Sequence, residues 1–230
     1  MTTRCLLVVN SKGGCGKTTI ANNLAGYFAR QGQDVALLDL DPQRASLRWL
    51  DRRPKDCPAI HGFSGWGWKL YPDEVEWVIM DAPGQIERKD LAQLVARADG
   101  VIIPVLPSPI DISAAADFIG TLLLCARIRS TDKCVGIVAN RVRANTLIYR
   151  QLRKFLESLR IPFISTLRDS QNYIRASQEG LGIFEMPRTK VSSDLRQWAP
   201  IVRWIENDAG ASWWQRAPQV DRSRVVVGTG

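Results

Sequence analysis

No stretch of this chain stays apolar for the roughly 18–20 residues that a membrane-crossing helix requires. Histidine occurs once, as His61, and the five cysteines (Cys5, Cys15, Cys57, Cys125 and Cys134) form no Cys-x-x-Cys pair. An odd, scattered set of thiols argues against a disulfide framework and against a zinc site, which needs several ligands at short spacing. A lone histidine without a partner carries no chemistry of its own. The opening Met-Thr-Thr-Arg runs straight into an apolar segment, without the regions of a secretory leader, which predicts a cytoplasmic protein. Internal repeats and low-complexity blocks are missing too.

What is present is an ordinary globular composition. The 230 residues are 45% hydrophobic and 23% charged, enough for one sizeable α/β domain that buries its own core. Negative charge is short toward the C-terminus. Residues 1–140 carry 16 Lys/Arg against 15 Asp/Glu, whereas residues 141–230 carry 15 against 8. Nearly all of the net +8 therefore lies in the last two-fifths of the chain, an asymmetry suited to a polyanion such as nucleic acid or anionic lipid.

Apolar, β-branched runs predict strands at 4–9, 34–39, 76–81, 99–105, 134–139 and 161–165. Between them the pattern predicts helices near 18–31, 44–53, 88–97, 111–128, 144–159, 169–178 and 190–206. Strands that are apolar almost throughout, separated by helices, imply an α/β fold: a mostly parallel, twisted sheet with helices on both faces. Residues 57–72 hold three Gly, two Pro and two Trp, which predicts a loop with room for one edge strand. A single domain is expected over 1–207, followed by a flexible tail at 208–230.

The strongest motif runs from Asn10 to Thr19 (NSKGGCGKTT), between the first predicted strand and the first helix. That is the context of a phosphate-binding loop. Gly13, Gly14 and Gly16 allow successive backbone N–H groups to point at phosphate oxygens, and the helix starting near Thr18 adds its positive end. Lys17 is placed to reach the β- and γ-phosphates, and the Thr18 hydroxyl to ligate Mg²⁺. The common pattern has glycine where this chain has Ser11, and here a second lysine, Lys12, precedes the glycine pair.

Two acidic segments follow. Asp39 ends the second strand and Asp41 lies two residues on, so both would face a crevice at the carboxyl end of a parallel strand. There Asp39 would hold a Mg²⁺-bound water and Asp41 would orient the attacking water. Asp41-Pro42 is equally the chemistry of a plain turn. The third strand ends in Val78-Ile79-Met80-Asp81-Ala82-Pro83-Gly84, which makes Asp81 a second carboxylate toward Mg²⁺ and Gly84 a hinge.

From Lys12 to Thr18 the chain resembles the ParA/MinD family of deviant Walker A ATPases, P-loop NTPases whose motif K-G-G-x-G-K-[ST] it matches at each fixed position. The LDxDPQ pattern at Leu38–Gln43 and the segments 45–54, 101–112 and 165–190 extend the likeness, which is nearest the small single-domain ParA type. The resemblance implies ATP and Mg²⁺ as cofactors. Lys12, Gly13, Gly14, Cys15, Gly16, Lys17, Thr18 and Thr19 would surround the nucleotide, with Asn140 of the Asn140-Arg141 pair at the adenine edge. Thr18, Asp39 and Asp81 would serve the metal, and Lys12, Lys17 and Asp41 would serve catalysis, Lys12 by crossing to the nucleotide of the opposite subunit.

The resemblance also implies partners. ATP would drive a homodimer that binds nucleoid DNA without sequence preference through Arg168, Arg175, Arg188 and Lys190, with Arg196 and Arg203 nearby. A ParB-like or cargo-adaptor protein would stimulate hydrolysis, and the cargo would be a plasmid, a chromosome region or a protein assembly such as a carboxysome. With the loop this close to residue 1, no helix-turn-helix is expected ahead of it. The main alternative is a MinD-type, membrane-associated positioning ATPase, with Trp213 and Trp214 as candidate interfacial residues. An electron-transfer iron protein would need cluster ligands for which Cys125 and Cys134 are poorly placed, and a ligase related to dethiobiotin synthetase would need a substrate pocket the sequence does not advertise.

Overall fold

The computed structural model describes residues 3–66, 71–72, 74–125, 135–159 and 161–207. Seven strands appear among them: β1 (Arg4–Val8), β2 (Val35–Asp39), β3 (His61–Ser64), β4 (Trp77–Asp81), β5 (Gly100–Val105), β6 (Val135–Val142) and β7 (Phe163–Arg168). They form one sheet in the order β3-β2-β4-β1-β5-β6-β7, parallel at each pairing. The helices are α1 (Lys17–Arg30), α2 (Ala45–Leu50), α3 (Arg88–Arg97), α4 (Pro109–Cys125), α5 (Leu147–Ser158), α6 (Gln171–Gln178) and α7 (Arg188–Asn207). Each expected element is present within a few residues, and the Gly/Trp-rich segment supplies β3 as an edge strand on β2. The expected tail at 208–230 lies outside the described residues.

The sheet is apolar on both sides because both sides are covered. In β1, Cys5 and Leu7 enter a core with α3, α4 and α5, whereas Leu6 and Val8 enter another with α1, α2, α6 and α7. Phe28 of α1 stacks on Trp77 of β4 with ring centroids 4.0 Å apart, which seats α1 against the sheet centre. Register then levels the functional ends of the strands: Val8 lies opposite Asp81, and Asp39 lies opposite Asp81 on the other side. The chain leaves β1 toward β2 over one face and β4 toward β5 over the other. Ligands of open α/β sheets bind at the carboxyl ends of strands beside such a reversal.

The C-terminal part corrects one expectation about DNA. Arg168, at the end of β7, makes a bidentate pair with Asp194 of α7, at 2.6 and 3.0 Å. Asp194 is fully buried and also accepts from Asn172 Nδ2 at 2.7 Å. Burial alone would raise its pKa, but the donors from Arg168 and Asn172 outweigh burial and hold it below the ordinary 3.8. The Arg168 guanidinium is thus a structural counter-ion that keeps a buried carboxylate paired, not a free cation for a polyanion.

Removing it should be costly. Arg168→Ala is expected to lose about 2 kcal/mol in urea unfolding at pH 7, less than for a fully enclosed pair because the arginine is part-exposed. With its pKa depressed in the folded state, Asp194 contributes stability above the unfolded value of 3.8, and this is lost as pH falls through the lower folded value. The gap between Arg168→Ala and wild type should therefore narrow in strong acid.

Candidate functional site

Residues 10–16 leave β1 and turn onto α1, with Ser11, Gly13 and Gly14 exposed at the crest of the loop. Asn10, 2% exposed, braces the loop from below: its Nδ2 donates to the Pro104 carbonyl at 2.7 Å, and its Oδ1 accepts from Lys12 N–H at 3.1 Å. The Lys12 carbonyl accepts from Lys17 Nζ at 3.0 Å and from the Cys15 thiol at 3.2 Å. These bonds use the backbone of Lys12, and its ammonium takes part in none of them. Burial pushes the Cys15 pKa up, which keeps the thiol neutral inside the loop.

Gly16 caps α1 at φ 98°, and a Cβ there would sit 2.1 Å from Asn140 Nδ2. Both the backbone angle and the close neighbour require glycine. Beyond it, α1 has no side-chain cap and no acidic residue in its first turn. The positive end of α1 is therefore left without an acidic neighbour of its own helix beside the buried Lys17, an arrangement suited to an anion.

The carboxylates sit beside this positive end. Asp81 Oδ2 accepts from Thr18 Oγ1 and from Ser46 Oγ, each at 2.7 Å. Its Oδ1 is buried and has no hydrogen bond among the described residues. Burial raises the Asp81 pKa from 3.8 to about 6, against the opposing pull of the two hydroxyl donors. A hydroxyl and an orphaned carboxylate oxygen side by side are hard ligands, and they fit Mg²⁺.

Asp39, 1% exposed, accepts from the backbone N–H groups of Asp41, Ser46 and Leu47 at 3.1, 2.8 and 3.2 Å. It therefore caps α2 from seven residues upstream. Burial raises its pKa too, with the three amides working in the opposite direction. A Mg²⁺-water contact, as the sequence implied, would use the lone pairs those amides leave. Asp41 is part-exposed, and its Oδ1 accepts from Gln43 N–H at 2.8 Å, so the turn chemistry of Asp41-Pro42 is realised.

Asn140 is used differently from its expected role. A bulge after Ala139, with Arg141 at φ 50°, turns Asn140 inward under the loop. Its Nδ2 donates to the Cys15 carbonyl at 2.8 Å and its Oδ1 accepts from Arg141 N–H at 3.0 Å. The geometry makes it a brace of the phosphate loop. An adenine contact would have only the second amide hydrogen and a remaining lone pair to work with.

Lys12 to Thr19, Asp39, Asp41, Asp81 and Asn140 thus converge on one crevice, with Gly84 packed against Gly13. The basic residues lie elsewhere. Arg175 and Lys190 are exposed on α6 and α7, where Asn172 Nδ2 donates to the Lys190 carbonyl at 3.1 Å and joins the two helices. Arg188 lines a separate groove between α7 and the end of α1, together with Arg30 and Arg203. Sequence reasoning missed Asn10 and Ser46. The only available signals were a polar residue closing an apolar strand and a hydroxyl in the first turn after the aspartate pair.

In metal-free protein the buried Asp81 charge is expected to cost stability. Because its folded pKa is raised, the cost is full above pH 6 and fades as pH falls from there toward 3.8. Asp81→Asn should therefore be more stable than wild type to urea at pH 7.5, by on the order of 1–3 kcal/mol, with the gap shrinking at pH 5. The same variant should lose the Mg²⁺-dependent part of nucleotide binding, as read by calorimetry with and without chelator.

The profile of the CobQ/CobB/MinD/ParA nucleotide binding domain matches residues 6–183. The chain is 31% identical over 189 residues to maintenance of carboxysome distribution protein A of Halothiobacillus neapolitanus, covering 79% of this chain and 87% of that protein. Among solved structures, a Cyanothece McdA variant in complex with ATP aligns at TM-score 0.63 and 14% identity, over 89% of this chain and 95% of that one. The septum site-determining protein MinD of Pyrococcus horikoshii, solved with Mg-ADP, aligns at TM-score 0.66 and 15% identity, over 91% and 98%. At such identities the solved structures speak for the fold alone, and they agree with the sheet described above. With the profile spanning most of its length and the phosphate loop built as it is, the chain belongs to the CobQ/CobB/MinD/ParA nucleotide-binding family and is a P-loop ATPase.

Proposed function

We propose that this chain is a cargo-positioning ATPase of the small ParA type. It binds ATP with Mg²⁺, closes into a homodimer on ATP, holds nucleoid DNA without sequence preference, and lets go when a cargo-bound adaptor stimulates hydrolysis. The observation that carries this reading is the loop crest: the backbone of part-exposed Lys12 is used inside its own loop, while its ammonium enters none of those bonds. A second cation stabilises phosphate charge most when it is brought in by a second subunit that also excludes water.

The surrounding rim supports a face covered by a second copy. Ile110, Leu147 and Ile174 are 71%, 72% and 50% exposed, and each lies in the first turns of a helix that follows β5, β6 or β7. Large apolar side chains left bare around a crevice suit a self-complementary contact. Within each subunit Lys17 and the α1 amides would bind the phosphates, and Thr18 and Asp81 would hold Mg²⁺, which screens phosphate charge. Asp41, on the part-exposed turn, would orient the attacking water.

DNA would be met by Arg175 and Lys190, joined by the arginines of the α1–α7 groove. Phosphate neutralisation makes such binding steeply salt-dependent, and dimerisation doubles the contacts. Residues 1–207 would suffice for this ATPase cycle in the cytoplasm. The carboxysome-distribution relative favours a protein assembly as cargo. Gel shifts test the reading: retention of DNA should require ATP and fall away with ADP, and equal retention with both would overturn it. Asp41→Ala should keep ATP binding while slowing hydrolysis at least about tenfold, as loss of a water-positioning group does. Charge reversal at Arg175 and Lys190 together should weaken DNA retention about tenfold or more while the ATP-dependent dimer persists in ultracentrifugation.

A further inference from the structure

We infer that Ser46 is a positioning residue, whose hydroxyl on Asp81 makes α2 a strut carrying the state of the nucleotide site to residues 180–185, the turn from which the basic helix α7 departs. The inference rests on the proposed Mg·ATP site at Thr18 and Asp81. It goes beyond that site in naming how occupancy is felt elsewhere.

The near end of the strut is fixed at two points. Ser46 is fully buried, its N–H is held by Asp39, and its hydroxyl donates to Asp81 Oδ2. Thr18 donates to that same oxygen. A cation taken up at Thr18 and the bare Oδ1 polarises the whole Asp81 carboxylate and competes with the Thr18 donation to Oδ2, so the Ser46 bond to that oxygen changes when the site fills. A helix of six residues is only about 9 Å long and moves as a unit.

The far end is fixed as firmly. Trp49 Nε1 donates to the Leu181 carbonyl at 3.1 Å. Arg53, just past α2, forms a bidentate pair with Glu185 at 3.0 and 2.5 Å, with side chains only 7% and 5% exposed. Gly180 has φ +69°, and a Cβ there would lie 2.4 Å from the Arg52 carbonyl carbon, so the turn abuts the backbone at 52–53 directly. A buried ion pair is expensive to break, so motion of α2 drags the turn and does not slip past it.

The turn has a second anchor. Asn23 of α1 accepts from Ile183 N–H at 2.5 Å, and α1 grows out of the phosphate loop itself. A turn tied to both α1 and α2 registers any displacement of one against the other. Arg188 begins α7 three residues beyond Glu185, with Lys190 in the same turn, so this displacement reaches the basic end of α7.

Hydrogen exchange by mass spectrometry on the full chain tests this, with Mg²⁺ and the non-hydrolysable analogue AMPPNP as probe. In wild type, the probe should protect residues 10–24 and change exchange over 178–192 about threefold or more. Ser46→Ala should keep the first response and lose the second, and it should need several-fold more Mg²⁺ for half-maximal nucleotide binding, with metal-free binding unaltered. Glu185→Gln should lose the 178–192 response with no change in Mg²⁺ demand, which separates the far clamp from a local effect at Asp81. A 178–192 response of wild-type size in Ser46→Ala, or none in wild type while 10–24 is protected, overturns the strut. No protection of 10–24 in wild type overturns the nucleotide site itself.

Discussion

A single carboxylate oxygen, Oδ2 of Asp81, holds together the first turns of two helices. Through Thr18 it receives α1, and through Ser46 it receives α2. That junction exists because parallel register places Asp81 opposite both Asp39 and Val8, so the loops after three neighbouring strands open at one level. The other oxygen of the same carboxylate is buried and bare, which keeps an uncompensated charge where a divalent cation is needed. Stability is given up at this point in exchange for a site that is ready to bind.

The positive half of the crevice is built by the same economy of parts. The loop is braced from beneath by Asn10 and from the side by Asn140, and the Lys17 ammonium closes it from within. Asn10 and Asn140 each satisfy two backbone groups, one of them in the loop, and the first turn of α1 brings no acidic side chain to oppose a ligand. Rigid presentation of unpaired donors lowers the reorganisation that phosphate binding would otherwise demand. Lys12 contributes its backbone to this scaffold, while its ammonium enters none of these bonds.

In the C-terminal part, the basic excess is not one feature but several. Arg168 is committed to the buried Asp194, while Arg175 and Lys190 remain in solvent and Arg188 joins Arg30 and Arg203 across a groove. Desolvation makes the difference: a cation beside a fully buried carboxylate is structural, whereas one in water is available to a polyanion. Net charge located the basic excess in the C-terminal part and could not say which arginines are paired within the fold and which face solvent.

The sequence by itself determined the parallel α/β fold, because strands covered on both faces must be apolar at consecutive positions, as β1 is from Cys5 to Val8. It determined the phosphate loop as well, since Lys12 to Thr18 are contiguous and their chemistry is set by glycine geometry and helix polarity. Asp39 and Asp81 were legible as strand-end carboxylates, but not that Asp39 spends itself capping α2. Only the tertiary structure decided the long-range pairs: Ser46 with Asp81 across 35 residues, Asn140 with Cys15 across 125, and Arg53 with Glu185 across 132. Periodicity and motif report what a residue meets within a turn or a strand. Which distant groups share a desolvated space is fixed only when the helices close on the sheet, and burial then turns ordinary polar side chains into obligatory partners.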